Sequence, residues 1–169
     1  PTTFFTMDVS SLTDSVFVQA THNWAPPDTM ADMPLGLRIS DYRFWSIRGI
    51  GEEHFTATGD FYFSRNSYLD DNLITWITDS VVMYYRENAG HEWQPVDFER
   101  IGAGWSSGTL RVLDLKFGDY VLGVWDTQVG IMEDPENGQQ QLNIYPNPSN
   151  KIFHIDLTGT QPGTLIIYD

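Results

Sequence analysis

Residues 55–64 alternate without a fault. Phe55, Ala57, Gly59, Phe61 and Phe63 stand at one parity, and Thr56, Thr58, Asp60, Tyr62 and Ser64 at the other. Successive side chains of a strand point to opposite faces, so this pattern predicts a strand with one buried and one wet face. A helix would scatter the same residues around its surface. Similar short runs recur along the chain, broken by Gly, Pro, Asn and Asp clusters, and helical periodicity is nearly absent. The expected fold is all-β: an antiparallel β-sandwich of about eight or nine strands, followed by a linker and a partial small β module.

In chain order, strands are predicted at Phe4–Val9 and Asp14–Asn23. Residues 24–34 hold Pro26, Pro27 and Pro34, which cannot donate to a ladder, and read as a long surface loop. Leu35–Ile50 holds one or two strands. Leu73–Ile77 reads as a short strand or one helical turn. Ser80–Arg86 is apolar at both parities and is expected in the middle of a sheet. Trp93–Arg100 is a weaker strand, and Gly102–Gly108 a glycine-rich loop. Thr109–Leu115 and Tyr120–Trp125 are expected to form a hairpin around residues 116–119. Residues 127–141 change character: after Ile131-Met132 they are acidic, Pro, Gly and Gln residues, the pattern of a linker. The layout is therefore a sandwich at 1–126, a linker at 127–141 and a tail module at 142–169.

Charge and composition narrow the partners. The formal net charge of −14 repels phosphate backbones, so nucleic acid is not an expected partner. There are no cysteines, which removes disulfides and thiolate metal sites. No stretch approaches the ~18 consecutive apolar residues of a helical membrane span.

Catalytic patterns are weak. His91-Glu92-Trp93-Gln94-Pro95 begins like a zinc-peptidase helix, but Pro95 stands where the second histidine is needed and would break the helix. The pairs Gly49/Gly51 and Gly102/Gly104 do not lead into helices, so they read as turns and not phosphate cradles. No serine sits in a nucleophile-elbow motif. No catalytic residue is expected. Asp70, Asp71 and Asn72 are the first choice for a calcium site, because clustered oxygen ligands suit a hard cation, although no EF-hand spacing is present. No other cofactor is expected. Among the six tryptophans, Trp93 and Trp105 fall in or beside loops and are the candidate platform for stacking a sugar ring.

The tail carries the most specific pattern. Leu142-Asn143-Ile144-Tyr145-Pro146-Asn147-Pro148-Ser149 is followed by an alternating strand at Ile152–Leu157 and by Leu165-Ile166-Ile167-Tyr168-Asp169. This stretch resembles the opening of the type IX secretion C-terminal sorting domain of exported Bacteroidetes proteins. The resemblance implies recognition by the outer-membrane translocon, with Tyr145, Pro146, Asn147 and Pro148 as the recognition residues. It implies passage through the periplasm to the cell surface or medium, often with attachment to surface lipopolysaccharide. The family domain runs on past the point reached at Asp169, so the sequence is expected to be cut within it.

A second resemblance spans about residues 22–126. It rests on Thr21–Asp28, Ile39–Gly49, Phe55–Phe63 and Asp79–Arg86. These are similar to the region after the catalytic part of Bacteroidetes secreted zinc aminopeptidases of the aminopeptidase N family. The resemblance implies a non-catalytic accessory domain whose parent holds its zinc ligands elsewhere. The expected function is thus an accessory β-domain of an exported protein, contacting the parent catalytic domain or a glycan. The alternative is a carbohydrate-binding or adhesion module.

Overall fold

The computed structural model describes residues 3–31, 33–65, 68–102 and 104–125, together with the backbone of two tail strands at 141–145 and 154–158. The chain divides into two compact units, Pro1–Asp126 and Thr127–Asp169.

The first unit is all-β, with two antiparallel sheets. Its strands are β1 (Phe5–Leu12), β2 (Phe17–Asn23), β3 (Leu37–Ile39), β4 (Phe44–Ile50), β5 (Phe55–Ser64), β6 (Ser80–Arg86), β7 (Gln94–Pro95), β8 (Phe98–Ile101), β9 (Ser107–Val112) and β10 (Gly118–Trp125). Sheet A has the order β1-β5-β9-β8. Sheet B has the order β2-β4-β10-β6-β7, with β3 also paired to β10. One 3-10 turn, Glu52–His54, joins β4 to β5.

Alternation in β5 is as the sequence predicts: Ala57, Gly59, Phe61 and Phe63 are buried while Thr56 and Tyr62 are exposed. The inward residues meet Trp45, Ile47, Met83, Leu110, Val112, Tyr120 and Leu122 in the main core between the sheets. Gly59 is small for a reason: a Cβ there would meet Leu115 Cδ1 at 2.6 Å. Burial of these side chains is worth roughly 1.5–3 kcal/mol each and holds the two sheets together.

Four expectations change. Thr109–Leu115 and Tyr120–Trp125 do not form a hairpin. β9 pairs with β5 and β8 in sheet A, whereas β10 pairs with β3, β4 and β6 in sheet B. The reason is in the burial: β9 has one apolar face, while β10 is buried on both faces and must be central. Leu115 drops into the core between them, its amide bonded to the Ala57 carbonyl at 3.0 Å, and carries the chain across the sandwich. Likewise Trp93–Arg100 is not one strand. It splits into β7, paired with β6 in sheet B, and β8, paired with β9 in sheet A. Leu73–Ile77 is a turn, closed by the amides of Thr75 and Trp76 donating to Asp79 Oδ2 at 2.7 and 2.9 Å. With two short strands, β3 and β7, the described residues of the unit form ten strands where eight or nine are expected.

Residues 24–34 are a surface segment, but one with a second core beneath it. Leu37, Val82, Tyr84, Trp93 and Val121 are buried together on the side of sheet B away from the main core, with Met30 and Phe44 packed against them. This explains why β6 and β10 are apolar at both parities.

In the second unit, β11 (Gln141–Tyr145) pairs antiparallel with β12 (His154–Thr158), placing Leu142 opposite Leu157 and Tyr145 opposite His154. The expected strand Leu165–Tyr168, the residues Pro146, Asn147 and Pro148, and linker residues 127–140 lie outside the described residues.

Candidate functional site

The residues singled out from the sequence are dispersed. Trp93 is 2% exposed, inside the second core. Its indole N–H donates to the Asp28 carbonyl at 3.1 Å, and the Arg86 guanidinium lies 4.4 Å from its ring centroid. It is therefore not a stacking platform: a sugar has no access to a ring packed on both faces. Trp105 is half-buried at the edge of the main core, with Arg65 5.0 Å from its centroid. The two tryptophans belong to different cores and form no common surface.

Asp70 is not a cation ligand either. Its side chain is fully buried against Arg43, itself fully buried. Arg43 Nε donates to Oδ1 at 2.9 Å and Nη2 to Oδ2 at 2.7 Å, and the Ser64 amide donates to Oδ2 at 2.8 Å. Arg43 Nη2 also donates to the Tyr62 carbonyl at 2.8 Å. The pair thus ties the β3–β4 loop of one sheet to β5 of the other. Burial pushes the Asp70 carboxyl up, while Arg43 pulls it back. Asp71 and Asn72 are exposed, and the Asp71 charge adds to the upward push on the Asp70 carboxyl. Among the described residues no group of three His, Asp or Glu is placed to hold a metal ion.

A second network, centred on the buried Asp119 and Arg86, lies on sheet B beside the second core. Asp119 Oδ1 accepts from Ser46 Oγ at 2.8 Å and Arg48 Nη2 at 2.6 Å, and Oδ2 accepts from Arg86 Nε at 3.1 Å. Arg86 Nη1 reaches Asp28 at 3.1 Å, clamping the 24–34 segment onto the sheet. No local pattern signals this network, because its members are separated by up to 91 residues in number; Ser46, Arg48, Arg86 and Asp119 meet through the pairing of β4, β6 and β10, and Asp28 joins through Arg86.

An aromatic cluster surrounds His22. Its ring stacks on Trp45 (5.2 Å, 10°), leans on Trp24 (4.6 Å, 43°) and meets Phe4 edge-on (5.7 Å, 74°). Neither ring nitrogen has a partner among the described residues. Burial, helped by the nearby Arg43 charge, lowers the His22 pKa to about 4, so the ring is neutral at physiological pH.

Two concavities stand out among the described residues. A cleft of about 360 Å³ is lined by Tyr85, Pro95, Asp97, Leu113, Lys116 and Tyr120. Its phenols are already engaged: Tyr85 donates to the Phe117 carbonyl at 2.9 Å, and Tyr120 bonds both the amide and the carbonyl of Lys116. The other, of about 420 Å³, is a groove on the outer face of sheet A, lined by Thr3, Phe4, Thr6, Asp60, Tyr62 and Thr109. There Tyr62 is 39% exposed, and its ring stacks on Phe4 at 6.0 Å and 21°. Beside it Arg111 Nε and Nη2 donate to the two Asp60 oxygens, both at 2.7 Å, with Asp60 opposite Arg111 in register. Sequence reasoning missed this groove, although a signal was present. Tyr62 is the one aromatic residue at the polar parity of β5.

Comparisons of the chain with protein-family models, with curated proteins and with solved structures find no match.

Proposed function

We propose that this chain is a non-catalytic accessory β-domain of an exported, cell-surface Bacteroidetes protein, with part of a type IX sorting signal in its tail. The observation that carries the reading is the sequence Leu142–Ser149, with its Tyr-Pro-Asn-Pro-Ser core, set behind an acidic, glutamine-rich stretch. The arrangement of buried charge in the sandwich is in keeping with it. Arg43 is bound to Asp70 and Arg86 to Asp119, and His22 is wedged among rings, so these groups support packing and not proton transfer. In this reading the parent is a zinc aminopeptidase-like enzyme, and this domain packs beside its catalytic part.

Two assays test the proposal. The chain should not hydrolyse aminoacyl-nitroanilides; hydrolysis abolished by a chelator would overturn the non-catalytic reading. In a Bacteroidetes host, replacing Tyr145, Pro146, Asn147 and Pro148 by alanine in the parent should leave the protein in the periplasm. Unchanged surface delivery of that variant would overturn the sorting reading.

A further inference from the structure

We propose that the outer face of sheet A binds a neutral oligosaccharide in the groove beside Tyr62 and Phe4. The two faces of the sandwich differ. The outer face of sheet B carries the second core, with Met30 and Trp93 packed on it, but on sheet A the outward residues Thr6, Asp8, Thr56 and Tyr62 are exposed. This is the face on which an extended chain has room to lie.

The lining has the chemistry of sugar recognition. A pyranose offers a C–H face and a rim of hydroxyls. Tyr62 offers a flat ring for the first, and it is held in place from behind by its stack on Phe4. Asp60 and Arg111 offer for the second what their bidentate pair leaves over, the outer lone pairs of the carboxylate and the Nη1 N–H groups, held in one plane by the pair itself. Both remain partly open, with 28% and 38% of their side chains exposed. The Thr6, Thr109 and Tyr62 hydroxyls make no side-chain hydrogen bond among the described residues, so they are available to a ligand. The groove's volume falls within the roughly 300–1,000 Å³ typical of ligand sites.

Backbone strain points to the same place. Phe4 has φ 52, a region that bulky residues rarely occupy. The conformation is held by the Tyr62 amide, which donates to the Phe4 carbonyl at 3.0 Å, and by contacts of the Phe4 ring with His22 and Arg43. Such strain costs about 1–3 kcal/mol and clusters at ligand sites, where it fixes a surface in advance.

Charge selects among glycans. The net charge is −14, and Arg38, Arg43, Arg48, Arg86 and Arg111 are each paired to an aspartate. Inside the groove Asp60 and Arg111 cancel. A neutral chain meets no repulsion there, whereas an acidic one meets the field of the whole domain.

The inference stands on sheet A alone and not on the export reading, so each can fail without the other. The test is affinity electrophoresis of the whole chain in gels containing mixed-linkage β-glucan, xylan, galactomannan or polygalacturonate. Retardation by at least one of the three neutral polymers is expected, with Tyr62→Ala weakening it at least about tenfold and Tyr62→Phe keeping it within about threefold. Thr6→Arg, which fills the groove from an exposed position, should abolish it, and carries the test if Tyr62→Ala does not fold. No retardation by any neutral polymer overturns the proposal. Retardation by polygalacturonate alone overturns it too, as does retardation that survives Thr6→Arg.

Discussion

Replacing Arg43 by alanine is the most demanding perturbation of this fold. The side chain is fully buried and makes two bonds to Asp70 and one to the Tyr62 carbonyl, and its guanidinium lies 4.6 Å from the Trp45 ring centroid. Removing it leaves the Asp70 carboxylate in the interior with the Ser64 amide as its remaining donor. Breaking a buried pair in this way costs about 3–5 kcal/mol, because an uncompensated charge stays behind. Lost stacking on Trp45 and Phe4 adds about 1 kcal/mol. Against a total stability of about 5–15 kcal/mol, the variant should be close to unfolding. Replacing both partners, Arg43→Met with Asp70→Leu, removes the charge along with its counter-charge. The Tyr62 carbonyl and Ser64 amide then lose partners at about 1 kcal/mol each, so the double variant should be more stable than Arg43→Ala by about 2 kcal/mol. Urea unfolding followed by tryptophan fluorescence measures all three proteins, with stability taken by linear extrapolation. A loss below about 1 kcal/mol for Arg43→Ala would refute the argument, as would a double variant no more stable than the single one.

Other consequences are equally concrete. Because the Asp70 oxygens are engaged by Arg43, adding calcium or a chelator should move the melting temperature by less than about 1 °C; a calcium-dependent rise of several degrees would restore the cation site. Trp93→Ala should cost about 3–5 kcal/mol, since the indole is buried against Arg86 and bonded to Asp28; chemical denaturation that finds it as mild as a surface change would contradict the second core. His22 should make stability fall with acid. Its folded pKa of about 4 lies below the unfolded 6.5, so the unfolded chain takes up the proton first. The stability it contributes is complete above pH 6.5 and is lost as pH falls towards 4. After discounting for partial solvent access this is about 1–2 kcal/mol. Melting curves at pH 7 and 4.5 for the wild type and His22→Phe should show the smaller drop in the variant, and equal drops would count against it.

Much of the fold was legible from local pattern. The alternation of Phe55–Ser64 located β5 and its faces, and the doubly apolar Ser80–Arg86 located a strand covered on both sides. What was not legible depended on pairing between distant segments. Residues 116–119 read as a hairpin turn because their number and Gly118 suit one; only the double burial of β10 and the descent of Leu115 into the core send the two strands to different sheets. Asp70 reads as a calcium ligand in an acidic loop because Arg43 lies 27 residues away. Trp93 reads as a loop tryptophan because the segment that covers it, 24–34, contains three prolines and little apolar pattern. In each case a loop residue was drawn inward by a partner that sequence proximity does not reveal. The groove is the converse: Tyr62 stood at the outward parity of β5 in plain view, but its neighbours Phe4, Thr109 and Arg111 are gathered by the β1-β5-β9 order.

In the proposed function, residues 1–126 are displayed outside the cell by a sorted tail. Protease treatment of intact Bacteroidetes cells expressing the parent protein tests it most directly, with detection by antibody against the sandwich. External protease should remove the signal from cells with a working type IX translocon and leave it intact in cells lacking one. Protection in both, or equal loss from both, would contradict it.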